Sequence, residues 1–468
     1  MHPTTRIETA FWYGCTIVIL LGAALYNGFP LVTSDTGAYI NSGFHWDVPR
    51  DRPIIYGIFL RLASLRYSLW LAVGVQCAIL AALLLRAVRV LAPRTVAPGW
   101  RVGIVLLSSW ATGLAWFSGQ VMPDIFTGIG LLTMLLLYFD DHLGRLGRGL
   151  LLALLLLCAI MHSSNLLTFS LLGLLVAAVA WVVRHRTPVL PGRRVVPVLA
   201  VVLSGWLVLP AIHAAFGGGF AISRSSYMFL MGRLVESGVL DKYLAKRCDK
   251  DTPPELCKFR NELPNDAITF LWDGQSVPNR TGGWEAHETE YKAIIQDVLT
   301  SPRYYPLLLT EAIQATLRQV VSVEHGDGLT PFRENSNPFW KVQESFPYEL
   351  REYLSSRQNQ SRLDFTDLTA RNQLTLLLTV GVLCAALGSR LRHRLTARER
   401  LWLLVAITGI VTNAGVTGSL ANVLSRLQTR VVWVLPFSVL CLLVAHGPAL
   451  LAYLRGWLRA TPSDASSN

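Results

Sequence analysis

Charged side chains are scarce in this sequence: 15 % of its 468 residues are Asp, Glu, Lys or Arg, against 52 % hydrophobic, and the mean hydropathy is +0.41. That balance excludes an ordinary soluble domain. Lysine is rarer still, with all six residues between 217 and 372. The signatures of soluble catalysis are missing: no Gly-rich phosphate loop, no Gly-x-Ser-x-Gly, no His-Glu-x-x-His and no Cys-x-x-Cys. There is no internal repeat and no sustained strand alternation. The only low-complexity stretch is the polar tail Thr461–Asn468, expected to be disordered.

What the chain has is apolar length. Crossing a bilayer takes roughly 20 apolar residues, and such runs fall at about 11–32, 68–90, 101–118, 122–139, 149–162, 165–183, 195–216, 373–389, 401–417 and 431–452. They predict an all-α polytopic membrane protein with about ten transmembrane helices. The fifth run meets the sixth through Met161-His162-Ser163-Ser164-Asn165, where a re-entrant pair or one kinked span fits equally well.

Charge supplies the orientation. The 217–372 stretch holds 18 Lys+Arg and 21 Asp+Glu, leaving 24 basic and 9 acidic residues elsewhere. The pI of 9.6 therefore reports topology rather than nucleic-acid binding. With the N-terminus inside, the cytoplasmic connections collect Arg86, Arg89, Arg94 and Arg101; Arg145 and Arg148; Arg184, Arg186, Arg193 and Arg194; Arg390, Arg392, Arg394, Arg398 and Arg400; and Arg455 and Arg459 in the tail. That is the positive-inside pattern. It predicts a bacterial inner-membrane protein with both termini cytoplasmic. The parts are an N-terminal membrane domain (1–216) with an outward first loop (33–67), a periplasmic domain (217–372), and C-terminal helices with a cytoplasmic tail (373–468). The first span lacks a small-x-small cleavage site and reads as an anchor rather than a signal peptide.

Within 217–372, Tyr227–Lys246, His287–Leu299 and Tyr304–Val321 show helical spacing, separated by turn-rich segments. This region is large enough for its own core, and could equally lie on the membrane surface. Cys248 and Cys257 close a short loop there, and in an oxidising compartment the pair reads as a disulfide. A zinc site is the weaker reading, with no second ligand pair nearby. The other five cysteines lie in apolar runs.

Few polar residues could carry chemistry. Asp35 follows the first span directly, in Thr33-Ser34-Asp35-Thr36, and two readings compete for it: a general base at the membrane rim, or the N-cap of a short interfacial helix. Asp124, beside Pro123, also reads as a normal helix entry. His162 and Asn165 sit at the break between the fifth and sixth runs, where a hydrogen-bonded structural role is the commoner one. Glu324-His325-Gly326-Asp327 has metal-binding letters but the composition of a solvated turn. Arg426 and Arg430, like Arg50, Arg52, Arg61 and Arg66, break the positive-inside trend. Outward arginines suit a phosphate, because the guanidinium donates bidentately. Snorkelling, or pairing with Asp35 or Asp51, is the alternative.

The arrangement resembles the GT-C superfamily of polyprenyl-phosphate-dependent integral-membrane glycosyltransferases. The matching letters are Ser34-Asp35 with Tyr39, then Arg52-Pro53 with Tyr56, Asp124 opening a later span, and Arg430 followed by an aromatic and Pro436. The likeness covers about 11–216 and the last span. The long 217–372 insertion departs from relatives that carry a C-terminal soluble domain.

The resemblance implies sugar transfer from a polyprenyl-phosphate donor to a lipid, glycan or protein acceptor on the periplasmic side. Asp35 and Asp124 would be the catalytic carboxylates, with Arg52, Arg426 and Arg430 on the donor phosphate. Tyr39, Tyr56, His162 and Asn165 would be polar residues of the acceptor cavity. Some members use a divalent cation and others none, so a metal stays open. Two other classes fit the same letters: a transporter or flippase of a lipid-linked sugar, and a non-enzymatic assembly protein. The absence of a repeat and the placing of charge at the outer rim favour the enzyme.

Overall fold

The computed structural model describes residues 6–92, 97–183, 190–388 and 395–460, with side chains to 447 in the last helix. Arg94, Arg184, Arg186, Arg390, Arg392, Arg394 and the 461–468 tail lie outside the described residues, and the side chains of Arg455 and Arg459 are not described either. Among the described residues the regular structure is helical, with one isolated bridge between Leu31 and Gln120.

Six helices are long and apolar enough to cross a membrane: Leu69–Leu91, Ser163–Val182, Gly192–Ala215, Thr366–Ala386, Ala397–Leu420 and Ser425–Gly447. They make this a multi-pass membrane protein. The other four expected runs are also helical but shorter or interrupted. The first divides into Arg6–Leu20 and Gly22–Asn27, and the third into Pro98–Ala111 and Leu114–Ser118. The fourth is the 15-residue helix Ile125–Phe139, in which every side chain is buried. That helix is the centre of the bundle, enclosed by protein rather than lipid, so bilayer thickness does not set its length. The fifth is Arg145–Met161, which ends at His162 just before the next helix starts at Ser163.

The 217–372 stretch feeds two cores. Residues between Tyr227 and Tyr304 build one of their own, around Met228, Met231, Phe270 and Tyr291. Helices run Ser226–Glu236, Val239–Arg247 and Glu288–Thr300, the first two parted at Gly238, whose φ of 67° favours glycine. Cys248 and Cys257 are joined by a disulfide at its edge. Val323, Phe339, Val342, Phe346 and Tyr353, by contrast, belong to the core of the membrane bundle.

Between the two lies the helix Tyr305–Val321, which crosses the end of Ala397–Leu420: Gln319 donates to Leu424 O at 2.8 Å, and Ser419 donates to Ala312 O at 3.3 Å. Its outer face exposes Leu309, Ile313, Leu317 and Val321, one every four residues.

Candidate functional site

Clipping of two loops places the acidic residues together. Leu31 donates to Gly119 O at 2.9 Å and Val121 donates back to Leu31 O at 2.8 Å, while Thr36 Oγ1 donates to Val121 O at 3.2 Å. The turn carrying Asp35 is thereby tied to the turn that leads into Asp124. Next to it the helices Thr36–His45 and Ile55–Ser64 cross at Gly43 and Gly57, so closely that a Cβ on Gly43 would stand 2.0 Å from Gly57 O. This backbone contact fixes Tyr39 against Tyr56, edge to face at 5.0 Å between centroids.

Asp35 occupies the N-cap position of Thr36–His45, yet its carboxylate accepts no capping hydrogen bond. It faces two arginines instead: Oδ1 lies 3.0 Å from Arg52 Nη1, and Oδ2 accepts from Arg426 Nη2 at 3.2 Å. Arg52 also donates from Nε and Nη2 to Asp51 Oδ2, at 2.9 and 2.6 Å, and its guanidinium lies over the Tyr39 ring at 5.3 Å. Burial alone would raise the Asp35 carboxyl, but the charges and hydrogen bonds of Arg52 and Arg426 prevail and hold it below its ordinary value. Burial would likewise depress Arg52, and Asp35, Tyr39 and Asp51 more than offset it. The cluster is not sealed: 21 % of the Asp35 side chain and 23 % of the Arg426 side chain reach the surface.

Behind this rim lies a second, closed ion pair. Arg430 Nη1 donates to Asp124 Oδ1 at 2.8 Å, and Nη2 donates to Ser164 Oγ at 2.9 Å and to Asn413 Oδ1 at 3.2 Å. The Arg430 side chain is 0 % exposed. Asp124, too, makes no side-chain cap. Ser164 continues the chain to His162, its Oγ standing 2.8 Å from Nδ1. The Ser164 backbone N–H donates to the same Nδ1 at 3.2 Å, which makes Nδ1 the acceptor and leaves the imidazole hydrogen on Nε2. Asp124 Oδ2, Arg430 Nε, Arg426 Nε, Gln428 Nε2 and Ser163 Oγ are buried and make no protein hydrogen bond. Such a concentration of unpaired polar atoms is costly in a packed interior and marks a polar site.

The residues 323–330 form the lid of the rim cluster. Asp327 Oδ2 accepts from the Arg426 backbone N–H at 3.4 Å, and Gly328, at φ 76°, passes close to Arg426 and Thr33. His325 turns inward against Gly113 and Phe117, and burial depresses its imidazole to about 4, so it is neutral at pH 7. The Glu324–Asp327 letters therefore act as a cover. Among the described residues no three His, Cys, Asp or Glu side chains gather as a metal site. Gln358 stitches the cover down, donating to Val32 O at 2.6 Å and Thr330 O at 3.0 Å while accepting from Val32 N at 3.1 Å.

Seven expected site residues are thus brought together: Asp35, Arg52, Arg426 and Tyr39 and, just beneath, the Arg430–Asp124 pair with His162. Two others are occupied elsewhere. Asn165 accepts from Thr127 Oγ1 at 2.7 Å and donates to Cys158 O at 3.1 Å, joining three helices. Tyr56 donates to Gln76 Oε1 at 3.4 Å. Ser164 and Asn413 were not singled out from the sequence, being small or neutral residues, and Asp327 stood out there only as one letter of a solvated turn. No family model, curated protein or solved structure matches this chain.

Proposed function

We propose that this chain is an integral-membrane glycosyltransferase of the GT-C type that moves a sugar from a polyprenyl-phosphate donor to a lipid, glycan or protein acceptor on the periplasmic side. On this reading the chain crosses the bacterial inner membrane about ten times, with both termini cytoplasmic and 217–372 outside. The apolar stripe of Tyr305–Val321 then rests on the outer leaflet.

The observation that carries the reading is the Asp35 carboxylate held between Arg52 and Arg426, partly open to the surface. Two guanidiniums converging at a membrane rim suit the phosphate of a lipid-linked donor. An arriving phosphate competes with Asp35 for both arginines and so releases the carboxylate toward the acceptor. The acceptor oxygen forms the new bond to the anomeric carbon, and the bond from that carbon to the phosphate oxygen breaks. The electron pair leaves on the phosphate, where Arg52 and Arg426 stabilise it. The acceptor proton passes to Asp35. Arg430 and Asp124, closed off from the surface, hold the floor of the site rather than the donor itself.

The test is sugar transfer from a polyprenyl-phosphate sugar by the purified protein in vesicles, monitored as released polyprenyl phosphate and glycosylated acceptor. Transmembrane movement of the donor without cleavage would move the assignment to a transporter. A protein inert in both assays would leave the assembly role.

A further inference from the structure

Asp35 and Arg426 stand 391 residues apart in the chain, and the backbone beside each is held by one buried glutamine. Gln319 and Gln358 are 0 % and 2 % exposed. Gln319 Nε2 donates to Leu424 O at 2.8 Å, and its Oε1 accepts from Leu424 N at 3.0 Å. Gln358 grips Val32 in the same way: Nε2 donates to Val32 O at 2.6 Å, and Oε1 accepts from Val32 N at 3.1 Å. Leu424 is the N-cap residue of Ser425–Val432, the helix that carries Arg426 and Arg430, and it has no side-chain oxygen to cap it. Val32 follows Leu31, whose own peptide groups are taken by Gly119 and Val121. Each clamp thus lies a few residues before one partner of the Asp35–Arg426 pair.

We propose that Gln319 and Gln358 are positioning residues that set the spacing between Asp35 and Arg426, with residues 319–359 as the brace between them. The role rests on the transferase reading of those two side chains. An ion pair alone leaves both side chains free to swing, whereas a clamp on the main chain fixes where each one starts. An amide suits the task because it donates and accepts in one plane, as the peptide of a neighbouring strand does. Burial by itself favours an apolar side chain at both positions; here both polar ends of each amide are spent on a single backbone residue. The brace is also tied along its length. Gln358 Nε2 reaches Thr330 O at 3.0 Å, Phe332 N donates to Asn359 Oδ1 at 2.8 Å, and Arg333 Nε donates to Asn359 O at 2.7 Å.

Pulsed electron spin resonance between nitroxides at Ser34→Cys and Asn422→Cys, in the full-length protein with Cys15→Ser and Cys384→Ser, reads the spacing independently of any chemistry. The parent protein should give one narrow distance distribution. Gln319→Met and Gln358→Met keep the side-chain length but lose the amide, and each should broaden or shift it. Gln314→Met, exposed on the same helix as Gln319, should not. Sugar transfer by the unlabelled variants should split. Gln319→Met acts through Arg426 and should raise the donor KM roughly tenfold, while Gln358→Met acts through Asp35 and should lower kcat by as much at a near-unchanged donor KM. If the methionine variants fail to fold, Gln319→Glu decides. Its carboxylate accepts from Leu424 N but cannot donate to Leu424 O, whereas the protonated acid does both. The Gln319→Glu distribution should therefore narrow toward that of the parent as pH falls from about 8 to about 5, and a broad distribution throughout would overturn the brace. So would unchanged distributions in both methionine variants, or a mere loss of active protein with kcat and KM unaltered. A wild-type protein inert in transfer would sink the transferase reading, and the distance measurement would still decide the brace.

Discussion

Arg430 and Asp124, 306 residues apart in the chain, meet at 2.8 Å with the guanidinium wholly buried. Breaking one partner of such a pair leaves the other as an uncompensated buried charge, typically at a cost of about 3–5 kcal/mol. Asp124→Leu and Arg430→Met should therefore each lower the melting temperature in detergent markedly. Arg430→Met combined with Asp124→Leu should be less damaging than the sum of the two, because no charge is left stranded. Additive losses would mean that the pair is not the unit its geometry describes.

Glu349 pins the 217–372 stretch to the second span: its carboxylate accepts from Leu69 N at 3.0 Å and from Ser68 Oγ, at the helix start. Burial raises this carboxyl above its ordinary value, despite the hydrogen bonds that oppose it. A raised carboxyl binds its proton more tightly in the folded state, so stability falls as pH rises from the unfolded value of about 4.3 through the folded one. Glu349→Gln can still accept from the helix start and carries no buried charge. Its melting temperature at pH 7 should match or exceed wild type, and the advantage should shrink toward pH 5. Glu349→Ala, which removes the acceptor, should cost about 1–3 kcal/mol.

Much of this architecture was legible in the letters, and the parts that were not share a cause. Apolar runs and arginine placement mark helices well, because hydrophobic length is a local property. They do not mark where a helix breaks. Leu21, Thr112 and Trp433 interrupt apolar runs without a change of composition, and enclosure of Ile125–Phe139 by its neighbours is a tertiary fact. Asp35 and Asp124 looked like helix caps from their positions and are not, since neither carboxylate accepts a capping bond. Pairing across hundreds of residues decided both, and a single sequence carries no record of it. Ser164 and Asn413 matter only because Arg430 arrives between them.

The disulfide and the orientation can be checked together. Cys248 and Cys257 close a loop of 9 residues' separation, for which chain-entropy arguments give on the order of 2–3 kcal/mol. The exported protein should show one reductant-sensitive pair in intact-mass measurements, and Cys248→Ser with Cys257→Ser should loosen the 227–304 core without affecting the membrane bundle. Gln275, exposed in a turn of the same unit, is a suitable labelling position. Gln275→Cys should react with a membrane-impermeant maleimide from the periplasmic side, and reaction only from the cytoplasm would reverse the orientation.

The last prediction bears on Asp35 itself. Its carboxylate caps nothing, so Asp35→Asn cannot act by weakening a helix start; it removes the negative charge between Arg52 and Arg426 while keeping the shape. If the proposed chemistry holds, transfer should fall by a factor on the order of 10²–10⁴, with expression preserved. Asp47→Asn is the control: Asp47 is exposed in the same loop, 3.4 Å from the Asn41 amide, and touches neither arginine, so its loss should leave transfer unchanged. Arg426→Lys should instead raise the apparent KM for the donor, because a point charge replaces a planar fork. The pH profile separates the roles further. In the free protein Asp35 is held below its ordinary value by Arg52 and Arg426. Any acid limb of kcat/KM between pH 5 and 7, which reports the free protein, must then belong to another group, and it should persist unchanged in Asp47→Asn and in residual Asp35→Asn activity. A fully active Asp35→Asn protein would remove the catalytic carboxylate from the mechanism and leave the rim arginines as a transport or binding site.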